Sequence, residues 1–303
     1  MWKQLSLFDA PQLLLGDYYR AIDTGDWRGL PFVMKSIEQL KMDVPYWSEK
    51  YAFWEKEIET MKQTEKKSAV EIARFWEKMA PTLQHESLRY EAEHLELYWY
   101  SRILEKLDSG KIDYLTEKLH PAYCYLKLRK YQEAIDLVDT YCDQVKEDAF
   151  LRGCQSYCCA KMNLIGKATG IFVFAMFYDP FSIEPGHIYN PEVTRLLSAL
   201  ELEYPERRLC RAAWPFQTWL EGYIEIPPVK RFAVAIRKLY DGKLLEKTTR
   251  DRESNQVYFN HLLYLSEIAR KNSDLINDES IALRKRMKEV NAEAFSKYME
   301  RLQ

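Results

Sequence analysis

Glutamate and histidine stand three positions apart at three places in this chain: Glu91 and His94, Glu117 and His120, Glu184 and His187. On a helix that spacing turns both side chains to one face. Two such pairs, with two further glutamates, can hold a two-iron centre inside a four-helix bundle. A metalloenzyme reading would therefore be built from Glu91, His94, Glu117 and His120. The spacing argues against it. Only 26 positions separate the first two pairs, which leaves no room for an intervening ligand-bearing helix. His120 abuts Pro121 and so belongs at a helix end, and the third pair falls in the irregular stretch DPFSIEPGHIY. The plainer expectation places His94 on a solvated or interfacial face, His120 as the cap of a turn, and His85-Glu86 at the start of a helix.

Other chemistry is no better supplied. Six cysteines, at 124, 142, 154, 158, 159 and 210, include no Cys-x-x-Cys pair and no second pair at zinc-finger spacing. They read as small hydrophobes in a reducing compartment. The chain has no Gly-x4-Gly-Lys phosphate loop, no Gly-x-Gly-x-x-Gly after a strand, no His-Glu-x-x-His and no Gly-x-Ser-x-Gly. No catalytic residue and no cofactor is nominated.

The elements that would position any site are helices. Apolar residues recur at helical period nearly throughout the 303 residues, and only 10 glycines and 12 prolines interrupt them. Helices are expected near 10–24, 28–42, 46–63, 66–80, 86–108, 112–119, 121–129, 131–145, 149–163 and 166–178. Further ones are expected near 191–203, 213–222, 228–241, 256–271 and 278–301. Thr24-Gly25-Asp26 breaks the first pair, Asn190-Pro191-Glu192 opens a helix, and Asp241-Gly242 reads as a C-cap. Tyr223 to Ile226 is the one β-like run. FWEK occurs at 53–56 and 75–78, where Trp54 and Trp76 read as core anchors.

Apolar residues make up 47% and charged ones 30%, so the chain is an ordinary folded protein and not a disordered one. The longest apolar run, Gly170 to Tyr178, is far too short to span a bilayer, and no signal-peptide pattern opens the chain, so a cytoplasmic protein is expected. Residues 226–303 carry 16 basic and 11 acidic side chains within an overall charge of −2. That surplus supports at most a weak contact with nucleic acid, through Lys230, Arg231, Arg237 and Lys238 on an amphipathic helix.

Two middle segments align at a period of 34. Ala134 and Ala168 stand near the start of the second helix of each pair, and Ala122 and Ser156 in the first. Small residues there let paired helices approach closely. With YQEAIDL at 131–137 and Asp179-Pro180 as a stop, the pattern over Tyr114 to Pro180 resembles the tetratricopeptide repeat. The resemblance implies stacked antiparallel helix pairs that present a groove to a protein partner. One subclass of that family clamps chaperone tails with Lys and Asn. The matching positions here are Leu119, Tyr123, Gly153 and Tyr157, which lack that clamp; Tyr123 and Tyr157 remain candidate groove residues.

At the N-terminus, Gln4-Leu5-Ser6-Leu7-Phe8 resembles the pentapeptide by which client proteins bind the bacterial β sliding clamp, and all five positions match. The resemblance implies that Gln4 bonds at the mouth of the clamp pocket and Leu5 lies along its rim. Ser6 would face solvent, and Leu7 and Phe8 would fill the apolar subsite. The competing expectation folds Trp2, Leu5, Leu7 and Phe8 onto the first helix pair as a cap.

The expected architecture is all-α. It consists of an N-terminal peptide over 1–10, an antiparallel helix-pair array of tetratricopeptide-like type over 11–180, a loop over 181–190, and a C-terminal helical region over 191–303. The expected function is a non-enzymatic scaffold tethered to the sliding clamp in DNA replication or repair. The alternative is an adaptor with no DNA role.

Overall fold

The structure is a computed structural model that describes residues 10–108, 110, 112–244, 251–271 and 278–303. Among the described residues there are fifteen α-helices and no strand, so the fold is all-α. The chain divides into two compact units, Met1–Lys130 and Tyr131–Gln303.

The first unit holds α1 (Ala10–Thr24), α2 (Leu30–Gln39), α3 (Trp47–Thr64), α4 (Ala69–Met79), α5 (Arg89–Glu105) and α6 (Pro121–Lys127). Helix α5 is its hub, because Leu95, Tyr98, Trp99 and Ile103 turn inward at helical spacing while α1, α4 and α6 pack around it. Trp27 lies 6.0 Å from Trp54 and 6.3 Å from Trp99, ring centre to ring centre, and all three are buried. Trp54 and Trp76, the tryptophans of the two FWEK strings, are both core residues.

The second unit holds α7 (Tyr131–Gln144), α8 (Ala149–Lys161), α9 (Ile165–Tyr178), α10 (Pro191–Glu203) and α11 (Arg207–Leu220). It continues with α12 (Lys230–Leu244), α13 (Arg252–Lys271), α14 (Asp278–Val290) and α15 (Ala292–Arg301). Helix α13 is buried on every side from Val257 to Ala269, since α9, α11, α12 and α14 all pack on it.

Several expectations are corrected. Residues 112–119 form no helix: Leu115 donates to Leu119 O at 2.9 Å, and this turn buries both leucines without helical periodicity. Pro121 starts α6 with His120 as its cap, in keeping with the helix expected near 121–129 and the capping role expected of His120. Helix α11 begins six residues before the expected 213 and carries Pro215 inside it. An internal proline costs about 3 kcal/mol, but burial of Trp214, Phe216 and Trp219 offsets this at about 1.5–3 kcal/mol per large side chain. Helix α12 runs through Asp241-Gly242, so no C-cap lies there, and Tyr223 to Ile226 is not a strand. The expected helix 278–301 breaks at Asn291, whose side chain accepts from Ala294 N at 3.0 Å and so starts α15 as a new helix.

Candidate functional site

The 34-residue spacing recurs in the backbone. Helices α7 and α9 have 14 residues each; they start at Tyr131 and Ile165 and end at Gln144 and Tyr178. Helix α6 ends at Lys127 and α8 at Lys161. Past those ends, Arg129 and Asn163 adopt left-handed conformations with φ of 59° and 62°. The hydrogen bonds repeat as well. Leu128 N to Cys124 O and Met162 N to Cys158 O are both 3.0 Å; Lys130 N to Tyr125 O is 2.9 Å and Leu164 N to Cys159 O is 2.8 Å. Each set is a Schellman ending, in which one left-handed residue lets the last free carbonyls of a helix find donors.

Four residue identities accompany this geometry: Tyr123 and Tyr157, Cys124 and Cys158, Lys127 and Lys161, and Ala134 and Ala168. Cys124 and Cys158 are fully buried, as are Ala134 and Ala168 to within 1%. Tyr123 and Tyr157 are half-buried, each with the lysine one turn later over its ring: Lys127 Nζ at 5.6 Å and Lys161 Nζ at 5.0 Å from the ring centre. Where α8 meets α9, Ser156 Oγ donates to Ala168 O at 2.8 Å, a contact that needs small residues on both helices.

The surroundings of the two candidate groove tyrosines differ. Tyr123 meets Tyr100 edge-on at 6.0 Å. Tyr157 meets the ring of His187 at 5.4 Å, in the connection between α9 and α10. That connection crosses α8 closely. A Cβ on Gly153 would stand 3.3 Å from Ile183 Cδ1, and Cys154 Sγ lies 3.8 Å from His187 Nδ1. The Cys154–His187–Glu184 contact is no activated thiol, because burial pushes the Cys154 thiol well above its ordinary value.

The glutamate–histidine pairs go to separate tasks. Glu91 is buried and accepts from Lys50 Nζ at 2.5 Å and from Tyr18 OH at 3.0 Å; Tyr18 OH in turn accepts from Trp54 Nε1 at 2.6 Å. Burial, with the Glu91 charge, pushes the Tyr18 hydroxyl far up, so it stays a donor. His94 leaves that cluster for Asp23 at 2.6 Å and stacks on Tyr19. His120 uses both ring nitrogens on backbone, Nε2 with Ile112 O at 2.7 Å and Nδ1 accepting from Ala122 N at 3.1 Å. Among the described residues no three or more His, Cys, Asp or Glu side chains gather so as to hold a metal ion.

The basic residues of α12 are partly engaged. Arg231 reaches Asp139 at 3.4 Å and Asp143 at 3.5 Å, and Arg237 pairs with Glu279 of α14. Lys238 is exposed; Lys230 lines a groove with Val234 and Ile268. Gln4 to Phe8 lie outside the described residues. No described helix is long and apolar enough to cross a membrane.

Two features escaped the sequence reading. Lys50 carries no mark of its burial, because its partner is 41 positions away. Arg152, which is fully buried, binds Asp139 at 2.8 Å and Glu147 at 2.9 Å, partners 13 and 5 positions away that helical periodicity does not pair with it.

No protein-family model, no curated protein and no solved structure matches the chain.

Proposed function

We propose that this protein is a non-enzymatic interaction scaffold with tetratricopeptide-like helix pairs, tethered to the bacterial sliding clamp by Gln4, Leu5, Ser6, Leu7 and Phe8 and acting in DNA replication or repair. The observation that carries the scaffold half is the recurrence of helix ends, Schellman turns and Tyr–Lys pairs at a 34-residue interval. Repeats of this kind stack helices to build partner surfaces. Supporting it, the residues best suited to chemistry are spent on structure: Glu91 on Lys50, His94 on Asp23, His120 on backbone. The clamp half rests on the five-position sequence match alone. A short terminal peptide with two apolar anchors suits a pocket of that kind.

A binding titration against the purified sliding clamp tests it, comparing wild type with Leu7→Ala/Phe8→Ala. Wild-type binding that falls more than tenfold in the double variant supports the tether. No binding, or equal binding by both, leaves the adaptor without a DNA role as the reading.

A further inference from the structure

The helix pair α8–α9 has a counterpart further along the second unit. Helices α8 and α10 have 13 residues each, α9 and α11 have 14 each, and three residues join the helices of either pair. The pairs begin at Ala149 and Pro191, 42 positions apart and not 34. The eight extra residues lie in one place: four residues, 145–148, lead from α7 into α8, whereas twelve, 179–190, lead from α9 into α10. This longer connection crosses α8 on the face of Gly153, Cys154 and Tyr157, which stand at i, i+1 and i+4 of one helix. Ile183 fills the notch at Gly153; it is 3% exposed, and a Cβ on that glycine would stand 3.3 Å from its Cδ1. His187 follows four residues later, with Nδ1 3.8 Å from Cys154 Sγ and its ring centre 5.4 Å from that of Tyr157.

The connection lies on α8 as a bound peptide would. Glu184, Ile188 and Asn190 have extended backbone, with one 3-10 turn, Pro185–His187, between the first two. Several of its amides are satisfied from within. Phe181 N donates to Asp179 Oδ1 at 3.0 Å, Ser182 N to Asp179 O at 3.4 Å, His187 N to Glu184 O at 3.0 Å and Ile188 N to Pro185 O at 3.2 Å. Side chains fasten it to its surroundings: Arg211 NH1 donates to Ile183 O at 3.2 Å, the Arg208 guanidinium lies 4.6 Å over the Phe181 ring, and Tyr189 OH donates to Thr169 Oγ1 at 2.7 Å. Its crest, Glu184 to Gly186, is exposed. Lifting the connection would leave the backbone ladders of α8 and α9 in place, which puts the opening among local rather than global ones. It would uncover the Gly153 notch and the Tyr157 ring, and it would cost the buried Arg211 an acceptor. A main-chain carbonyl from another polypeptide can replace that acceptor.

We propose that α8 carries a peptide-binding trough, that residues 179–190 are its resident occupant, and that a partner segment of like chemistry displaces them. Such a segment is extended, with a branched aliphatic side chain for the notch at Gly153, a ring four residues on for Tyr157, and a carbonyl at the aliphatic residue for Arg211. This deepens the scaffold reading and rests on its helix pairs, but it is independent of residues 4–8. The probe is a fluorescein-labelled synthetic peptide of residues 179–190. It is titrated by anisotropy against the full-length protein and against a full-length variant in which 180–189 are replaced by a glycine–serine linker of equal length. The peptide is expected to bind the linker variant and to bind wild type more than tenfold less tightly, because the tethered strap competes at high effective concentration. Ile183→Asp in the peptide, or Gly153→Leu in the linker variant, should each weaken that binding more than tenfold. No binding to a folded linker variant, equal binding by wild type, or indifference to either substitution overturns the proposal; urea unfolding reports whether the variant is folded. Should it not fold, hydrogen exchange on wild type decides alone. The amides of Ser182, His187 and Ile188 should then be protected at least a hundredfold less than those of Cys158 and Cys159 in α8, and equal protection overturns the proposal. Sliding-clamp binding measured on the same preparations separates failure of the trough from failure of the tether.

Discussion

Lys50 Nζ lies 2.5 Å from Glu91 Oε1, and both side chains are withdrawn from solvent, 5% and 0% exposed. A pair like this adds little over an apolar pair of equal volume, yet breaking it strands a buried charge. Lys50→Met should therefore destabilise the first unit by about 3–5 kcal/mol. Lys50→Met/Glu91→Leu should recover most of that loss. Urea unfolding of the three proteins checks it, and a double variant no more stable than the single would show that the cost lies in packing and not in charge.

Arg129 and Asn163 both occupy left-handed backbone, and both are exposed. Asparagine tolerates that conformation, while arginine is strained there by about 1–2 kcal/mol. Arg129→Gly should raise stability by up to about 1 kcal/mol, and Asn163→Gly by less. Arg129→Val should lower it. Equal effects of glycine at both positions would refute the strain argument.

Burial alone would raise the Asp139 carboxyl, but hydrogen bonds from Gln155 and Arg152 and the charges of Arg152 and Lys167 outweigh it and hold the group below its ordinary 3.8. A depressed folded value favours the native state wherever the unfolded carboxyl is ionised. The contribution is thus complete above about pH 4 and is lost as pH falls through the folded value. Asp139→Asn should cost about 1–3 kcal/mol at neutral pH, because Arg152 loses a charged partner. The gap between wild type and variant should close as pH drops below 4, a trend that denaturation at several pH values will show or deny.

Burial pushes the thiols of Cys142 and Cys158 up to about 12 and that of Cys154 well above its ordinary value. All six cysteines are free and buried. At pH 8 a disulfide reagent should find almost no thiolate in the native protein and should titrate all six after denaturation. A thiol that reacts within seconds in the native state would contradict this.

Fold class and most helices were legible because burial on one face leaves a 3.6-residue signature. Where that signature failed, tertiary context had overridden it. The run Ile112 to Leu119 has helical spacing, but its leucines are buried by a turn that His120 Nε2 helps to close on Ile112 O. Pro215 marks a helix end by local rules and sits inside α11 because its neighbours are core residues. Asn291 looks like any polar position in a long helix, although its role as a cap follows from residue type once the break is known. The repeat was visible through alanines 134 and 168, whereas its Tyr–Lys pairs were not, since identities at 123/157 and 127/161 acquire meaning only from ring-to-ammonium distance.

The division between Lys130 and Tyr131 passes through the middle of one 34-residue segment, between α6 and α7. Period and compact unit are therefore out of phase. Excising residues 121–178 as a cassette, as the sequence period invites, would strip α6 from α5 and α9 from α13 and open both cores at once. For dissection, grafting or tag insertion in this chain, the register of the repeat is the wrong ruler.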